Sequence, residues 1–185
     1  MEELQNLSAE EFEYLITSGI TLATHARSNP KYPLSESVTK NLLKLYLNDV
    51  GLLTGILYGN NVRPVLNDMR SINLGSVYEN AVAQELASHG DKLFYYDNRS
   101  NGEVDFLIDD HNTISVLPVE VKSGKDYTKH SALDNFMRVP DYHISSALVL
   151  NDDREIRVVN NVTYAPVYNV MFLSAKEQNP EDLIF

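Results

Sequence analysis

The chain has 185 residues, enough for one compact domain with its own core, and 43% of them are hydrophobic. It contains no cysteine, which excludes disulfides, thiolate metal sites and cysteine nucleophiles, and fits a reducing cytoplasm. Fifteen Lys and Arg against twenty-six Asp and Glu leave a net charge of −11, which disfavours broad attraction to nucleic acid unless a bound metal reverses the sign locally.

The start, Met1-Glu2-Glu3-Leu4-Gln5, is acidic where a secretory signal is basic, and no apolar run approaches the ~18 residues of a membrane span. A cytoplasmic protein with no membrane partner is expected. Ser8-Ala9-Glu10-Glu11 has capping-box spacing, and Phe12, Leu15 and Ile16 follow at helical intervals, so a short helix is predicted, stopped by Gly19. Ile20, Leu22 and Thr24 alternate as in a strand, and Pro30 and Pro33 mark a turn after it. A helix followed by a hairpin fits either a winged-helix unit or a small packing appendage; Arg27, Lys31 and Lys40 are few cations for a nucleic-acid reader. Residues 42–57 are mostly apolar and belong in a core, with Gly51 and Gly55 dividing them into short elements. The polar stretch 60–73, with Pro64, reads as a linker, so the expected organisation is an N-terminal appendage at 1–74 and a main domain at 75–185.

From Gly75 the pattern sharpens. Ser76 can cap a helix in which Glu79, Val82, Ala83 and Leu86 share one stripe. Strands are predicted at 93–96, at 103–108 and at 114–122. In the second, Val104, Phe106 and Ile108 face one way and Asp105 the other; in the third, Val119 and Val121 oppose Glu120 and Lys122. A helix at 131–137, strands at 143–150 and 156–159 and an extended tail complete an α/β (α+β) fold, a mixed central sheet flanked by helices.

Asp105, Glu120 and Lys122 sit on neighbouring strands, where a hairpin brings them to one place, and Glu79 can reach the same point from the preceding helix. Two carboxylates suit a hard divalent cation such as Mg²⁺ or Mn²⁺, with the Val121 backbone carbonyl as a further ligand. Lys122 would then position or activate a water and offset charge on a phosphate.

These residues, in this order, carry a resemblance. The stretch with Glu79-Asn80, Gly102-Glu103-Val104-Asp105-Phe106 and Pro118-Val119-Glu120-Val121-Lys122-Ser123-Gly124 resembles the restriction-endonuclease-like PD-(D/E)XK nuclease superfamily. Within it, the likeness is to the C-terminal domain of unknown function carried by many bacterial and archaeal AAA+ family ATPases, and Lys44-Leu45-Tyr46-Leu47-Asn48-Asp49 is similar to the segment that precedes that domain. The resemblance implies a restriction-endonuclease-like core with Glu79, Asp105, Glu120 and Lys122 as catalytic residues. It also implies a metal held by Asp105, Glu120 and Val121, cleavage of DNA or RNA, and an ATPase module as partner. This chain has no G-x-x-x-x-G-K-[ST] and hence no ATP site of that type, so the expectation is either a piece separated from its motor or a relative that lacks one. A catalytically silent interaction or regulatory module that docks on an ATPase is the alternative.

Simpler readings stand beside these. Charged residues at alternate strand positions often form a solvated face with an ordinary ion pair, and Glu79 could pair with a nearby cation. The five histidines lack zinc-site spacing, and His130 reads as a surface residue. Tyr95 and Tyr96 could stack on bases but suit cross-strand packing better. Arg99, Lys125 and Lys129 are the only basic rim near the acidic residues, which is thin for duplex DNA.

Overall fold

The structure is a computed structural model, and it describes residues 8–59, 61, 63 and 73–173. The linker expected at 60–73 falls largely outside these. Along the chain come α1 (Ala9–Thr17), β1 (Thr21–Arg27), β2 (Thr39–Leu47), α2 (Val50–Tyr58), α3 (Gly75–Ser88), β3 (Phe94–Asn98), β4 (Gly102–Asp110) and β5 (Ser115–Val121). They are followed by α4 (Ser131–Met137), β6 (Ala147–Asn151), β7 (Arg157–Val159) and β8 (Val162–Pro166).

The capping box forms as its spacing predicts: Ser8 N–H donates to Glu11 Oε2 at 2.7 Å, and Glu11 N–H donates to Ser8 Oγ at 3.3 Å. Ser76 does not cap α3. That helix begins at Gly75 after Leu74, and Asn73 Oδ1 accepts the Gly75 N–H instead. Residues 42–57 divide into β2 and α2, because Asp49 caps the second by accepting from Gly51 and Leu52 N–H.

All eight strands join one mixed sheet in the order β2-β1-β3-β4-β5-β6-β8-β7. The pairs β1/β2, β3/β4, β4/β5 and β7/β8 are antiparallel, and β1/β3, β5/β6 and β6/β8 are parallel. The sheet crosses the boundary expected at residue 74, since β1 pairs with β3 from His25↔Phe94 to Arg27↔Tyr96.

Each face of the sheet buries one apolar helix stripe. On one, Leu133 and Phe136 of α4 pack with Tyr96, Val104, Leu107 and Val149. On the other, Val82, Ala83 and Leu86 of α3 pack with Phe106, Val119, Val121 and Leu148. Val104 therefore faces opposite to Phe106, contrary to the alternation expected for 103–108. The register explains it: Phe94 pairs with Leu107 but Tyr96 with Val104, so β4 carries one extra residue, a β-bulge at Asp105–Phe106.

Gly102 starts β4 at φ +90°, and a Cβ placed there would lie 2.8 Å from the Ala132 Cβ of α4. Gly102→Ala is expected to cost about 2 kcal/mol through backbone strain and overpacking. Urea unfolding beside a Gly124→Ala control, where a Cβ meets open space, would show it; equal stability of the two variants would contradict this packing.

Candidate active site

The bulge decides where Asp105 goes. The β4/β5 ladder runs from Asp110↔Ser115 to Phe106↔Val119, and just beyond it the Asp105 carboxylate itself takes up the strand's bonding: Oδ2 accepts the Val121 N–H at 2.8 Å. Asp105 is buried there. On β5, Val119 and Val121 point into the core beside α3, and Glu120 and Lys122 alternate with them, as the strand period requires.

Glu120 is 5% exposed. Its Oε1 accepts from Lys122 Nζ at 2.6 Å, and its Oε2 is buried with no hydrogen-bond partner among the described residues. An unsatisfied buried carboxylate oxygen is costly, and it is a feature that a missing ligand would explain. The backbone of Lys122 is fixed separately, its N–H donating to Leu150 O on β6 at 2.8 Å.

Glu79 comes from α3, and its Oε2 accepts from the Tyr46 hydroxyl at 3.3 Å. The next residue, Asn80, clamps the helix to β2, with Oδ1 accepting from Leu47 N–H at 2.7 Å and Nδ2 donating to Leu47 O at 2.9 Å. Lys44, two residues before Tyr46, pairs with Glu103 and lies 4.8 Å from the centre of the Tyr95 ring. Lys44 and Tyr46 were not singled out as site residues from the sequence. Their alternation on an apolar strand was the available signal, and only the pairing of β2 with β1 shows where they arrive.

Electrostatics tie these groups together. Burial first, then the charges of Glu120 and Glu79, push the Asp105 carboxyl up to about 8, against the opposing Val121 N–H and Lys44. Burial also raises Glu79, with Lys44 and Tyr46 opposing. Burial pulls the Lys122 ammonium down, but its bond to Glu120 and the charges of Glu120, Asp105 and Glu79 outweigh this and leave it above its usual range. Asp105, Glu79 and Lys122 are thus each shifted by the charges of neighbouring carboxylates.

Among the described residues no group of three or more His, Asp or Glu side chains closes on a single point as a metal cage would. Mg²⁺ does not require one, since it commonly keeps several waters and takes one or two carboxylates. Asp105 and Glu120 are the residues fitted to that role by the free Oε2. Val121 is engaged through its N–H, which orients Asp105.

The residues weighed beside this cluster fall into place differently. His130 is buried, against the expectation of a surface residue, because its Nε2 meets the Tyr164 hydroxyl at 2.6 Å and its Nδ1 meets Asp134 at 3.1 Å. Tyr96 is core, with its ring 4.7 Å from that of Phe136. Lys129 is exposed and pairs with Asp126. No helix among the described residues is long and apolar enough to cross a membrane.

Residues 74–170 match the family model described as Domain of unknown function (DUF4143). The chain belongs to this family. No curated protein and no solved structure matches it. The DUF4143 stretch contains Glu79, Asp105, Glu120 and Lys122, while Lys44 and Tyr46 lie before it on β2.

The raised Asp105 carboxyl has a thermodynamic consequence. A carboxyl whose folded pKa exceeds its unfolded value of 3.8 binds its proton better in the folded state, so its contribution is complete below about pH 4 and is lost as pH rises through about 8. In metal-free protein, Asp105→Asn, which keeps an acceptor for the Val121 N–H, is expected to gain stability over wild type across that interval. The gain should be nil at about pH 4 and reach a few kcal/mol above about pH 8. Urea unfolding in chelator at a series of pH values measures the difference; a gain that shrinks with rising pH would contradict the buried-acid reading.

Proposed function

We propose that the Asp105, Glu120 and Lys122 cluster is the centre of a metal-dependent phosphodiester hydrolase of restriction-endonuclease-like type, acting on DNA or RNA. The observation that carries this reading is the buried, unpartnered Oε2 of Glu120 beside the raised carboxyl of Asp105, with a lysine on the other oxygen of Glu120. A pair of acids so placed is destabilised while empty and suited to a hard cation.

Mg²⁺ or Mn²⁺ bound there would polarise the phosphate and make a bound water more acidic. Asp105 and Glu120 would hold it, with the Val121 carbonyl as a third ligand. Lys122, tethered through Glu120 Oε1, would orient the attacking water and offset negative charge on the phosphate. Glu79, held by Tyr46, adds a further carboxylate on the helix side. Association with an ATPase module and a cytoplasmic setting belong to the same reading, and the chain itself lacks a phosphate-binding loop of the G-x-x-x-x-G-K-[ST] type.

A second reading, a catalytically silent module that docks on an ATPase, is favoured by α2. None of its residues is buried, and Leu52, Ile56 and Leu57 expose apolar surface. The net charge of −11 also favours a protein partner over bare nucleic acid.

Calorimetry with Mn²⁺, followed by plasmid and single-strand cleavage on the same samples, separates the two. In the hydrolase reading wild type binds the ion, and Asp105→Asn and Glu120→Gln weaken binding at least about tenfold. Lys122→Ala keeps the ion and loses roughly 100-fold or more in cleavage rate. Absence of ion binding in folded wild type would leave the docking reading.

A further inference from the structure

Where β1 and the start of β3 meet the C-terminal end of α3, the surface forms an open pocket of about 440 Å³. Its polar lining is His25, Arg27, Ser35, Lys92 and Asp91, and Leu22 and Leu93 form part of its apolar wall. In a chain of net charge −11, three basic residues here face a single acidic one. None of them belongs to the carboxylate cluster.

Arg27 is the unusual member. It is 6% exposed, and no ion pair joins it to an acid among the described residues. Its Nε donates to Leu34 O at 2.9 Å, its Nη1 donates to the Thr39 hydroxyl, and its guanidinium lies 4.2 Å above the Phe94 ring. Burial alone pulls its pKa down, and no carboxylate opposes this. A guanidinium has five N–H donors, so the two bonds to Leu34 and Thr39 leave others available to a ligand in the pocket. The carbonyl of Leu34 and the hydroxyl of Thr39 hold the group in position while neutralising none of its charge.

A dianion would. Arginine's planar fork matches phosphate oxygens in pairs, Lys92 adds a second positive charge, and His25 and Ser35 add donors. The cavity volume lies in the range of small-molecule sites, and its apolar wall can take the organic part of a ligand. We propose that this cavity binds a small molecule carrying a phosphate monoester, with Arg27, Lys92 and His25 receiving the phosphate and the wall at Leu22 and Leu93 receiving the organic group.

The test uses the full chain in chelator, so that no metal at the carboxylate cluster contributes, with phenyl phosphate as probe and calorimetry as readout. Wild type is expected to bind with a Kd of about 1 mM or tighter at low salt, and Lys92→Ala or His25→Ala to weaken binding at least about fivefold. Asp105→Asn is expected to leave binding unchanged, which separates this site from the hydrolase reading. Arg27 is left intact because its removal would open the Leu34 and Thr39 contacts. No binding of phenyl phosphate up to about 10 mM, or binding unchanged in both the Lys92 and His25 variants, would overturn the proposal.

Discussion

The hydrogen bond from Val121 N–H to Asp105 Oδ2 holds the centre of this molecule together. It continues the bonding beyond the end of the β4/β5 ladder, at the place where β4 carries an extra residue relative to β3. The bulge turns Val104 to one core and Phe106 to the other, so both helices find an apolar surface. A side chain in the place of a main-chain acceptor brings a carboxylate into a sheet without orphaning the amide it displaces. The same bond holds Asp105 where the charge of Glu120 adds to burial in raising its carboxyl.

Much of the remaining architecture answers that concentration of negative charge. Lys122 ties one oxygen of Glu120, Tyr46 donates to Glu79, and Lys44 opposes the rise in Asp105 and Glu79. Two of these three come from β2, outside the stretch that defines the family match. The N-terminal hairpin is therefore more than an appendage to the sheet: Asn80 clips its Leu47 backbone to α3 with two hydrogen bonds.

Positive charge is organised in the opposite manner. It is scarce overall, yet Arg27 is buried with no ion pair among the described residues and shares a pocket with His25, Lys92 and the single acid Asp91. One chain thus gathers acids around two lysines at one place and basic side chains around a single acid, Asp91, at another. Each is a departure from local consistency, which the two proposals read as the mark of a ligand site.

What the sequence determined by itself is the part written in nearest neighbours. Ser8 and Glu11 specify a helix start, Val82, Ala83 and Leu86 a buried stripe, and the alternation of Val119, Glu120, Val121 and Lys122 a strand with charged residues on one side, since each pattern needs only the local period of the backbone. The convergence of Asp105, Glu120 and Lys122 was legible for the same reason, as a short hairpin leaves little choice of register. The tertiary structure alone decided the rest. A bulge is invisible in a hydrophobic pattern, so the reversal of Val104 could not be read, and the burial of His130 depends on Tyr164, thirty-four residues away on β8. Lys44 meets Glu103 and Arg27 meets the Phe94 ring only when β1 pairs with β3, a contact across nearly seventy residues that no periodicity encodes. Local patterns set which elements form and which side each residue takes, but long-range pairing sets what stands opposite, and the chemistry of both sites depends on what stands opposite.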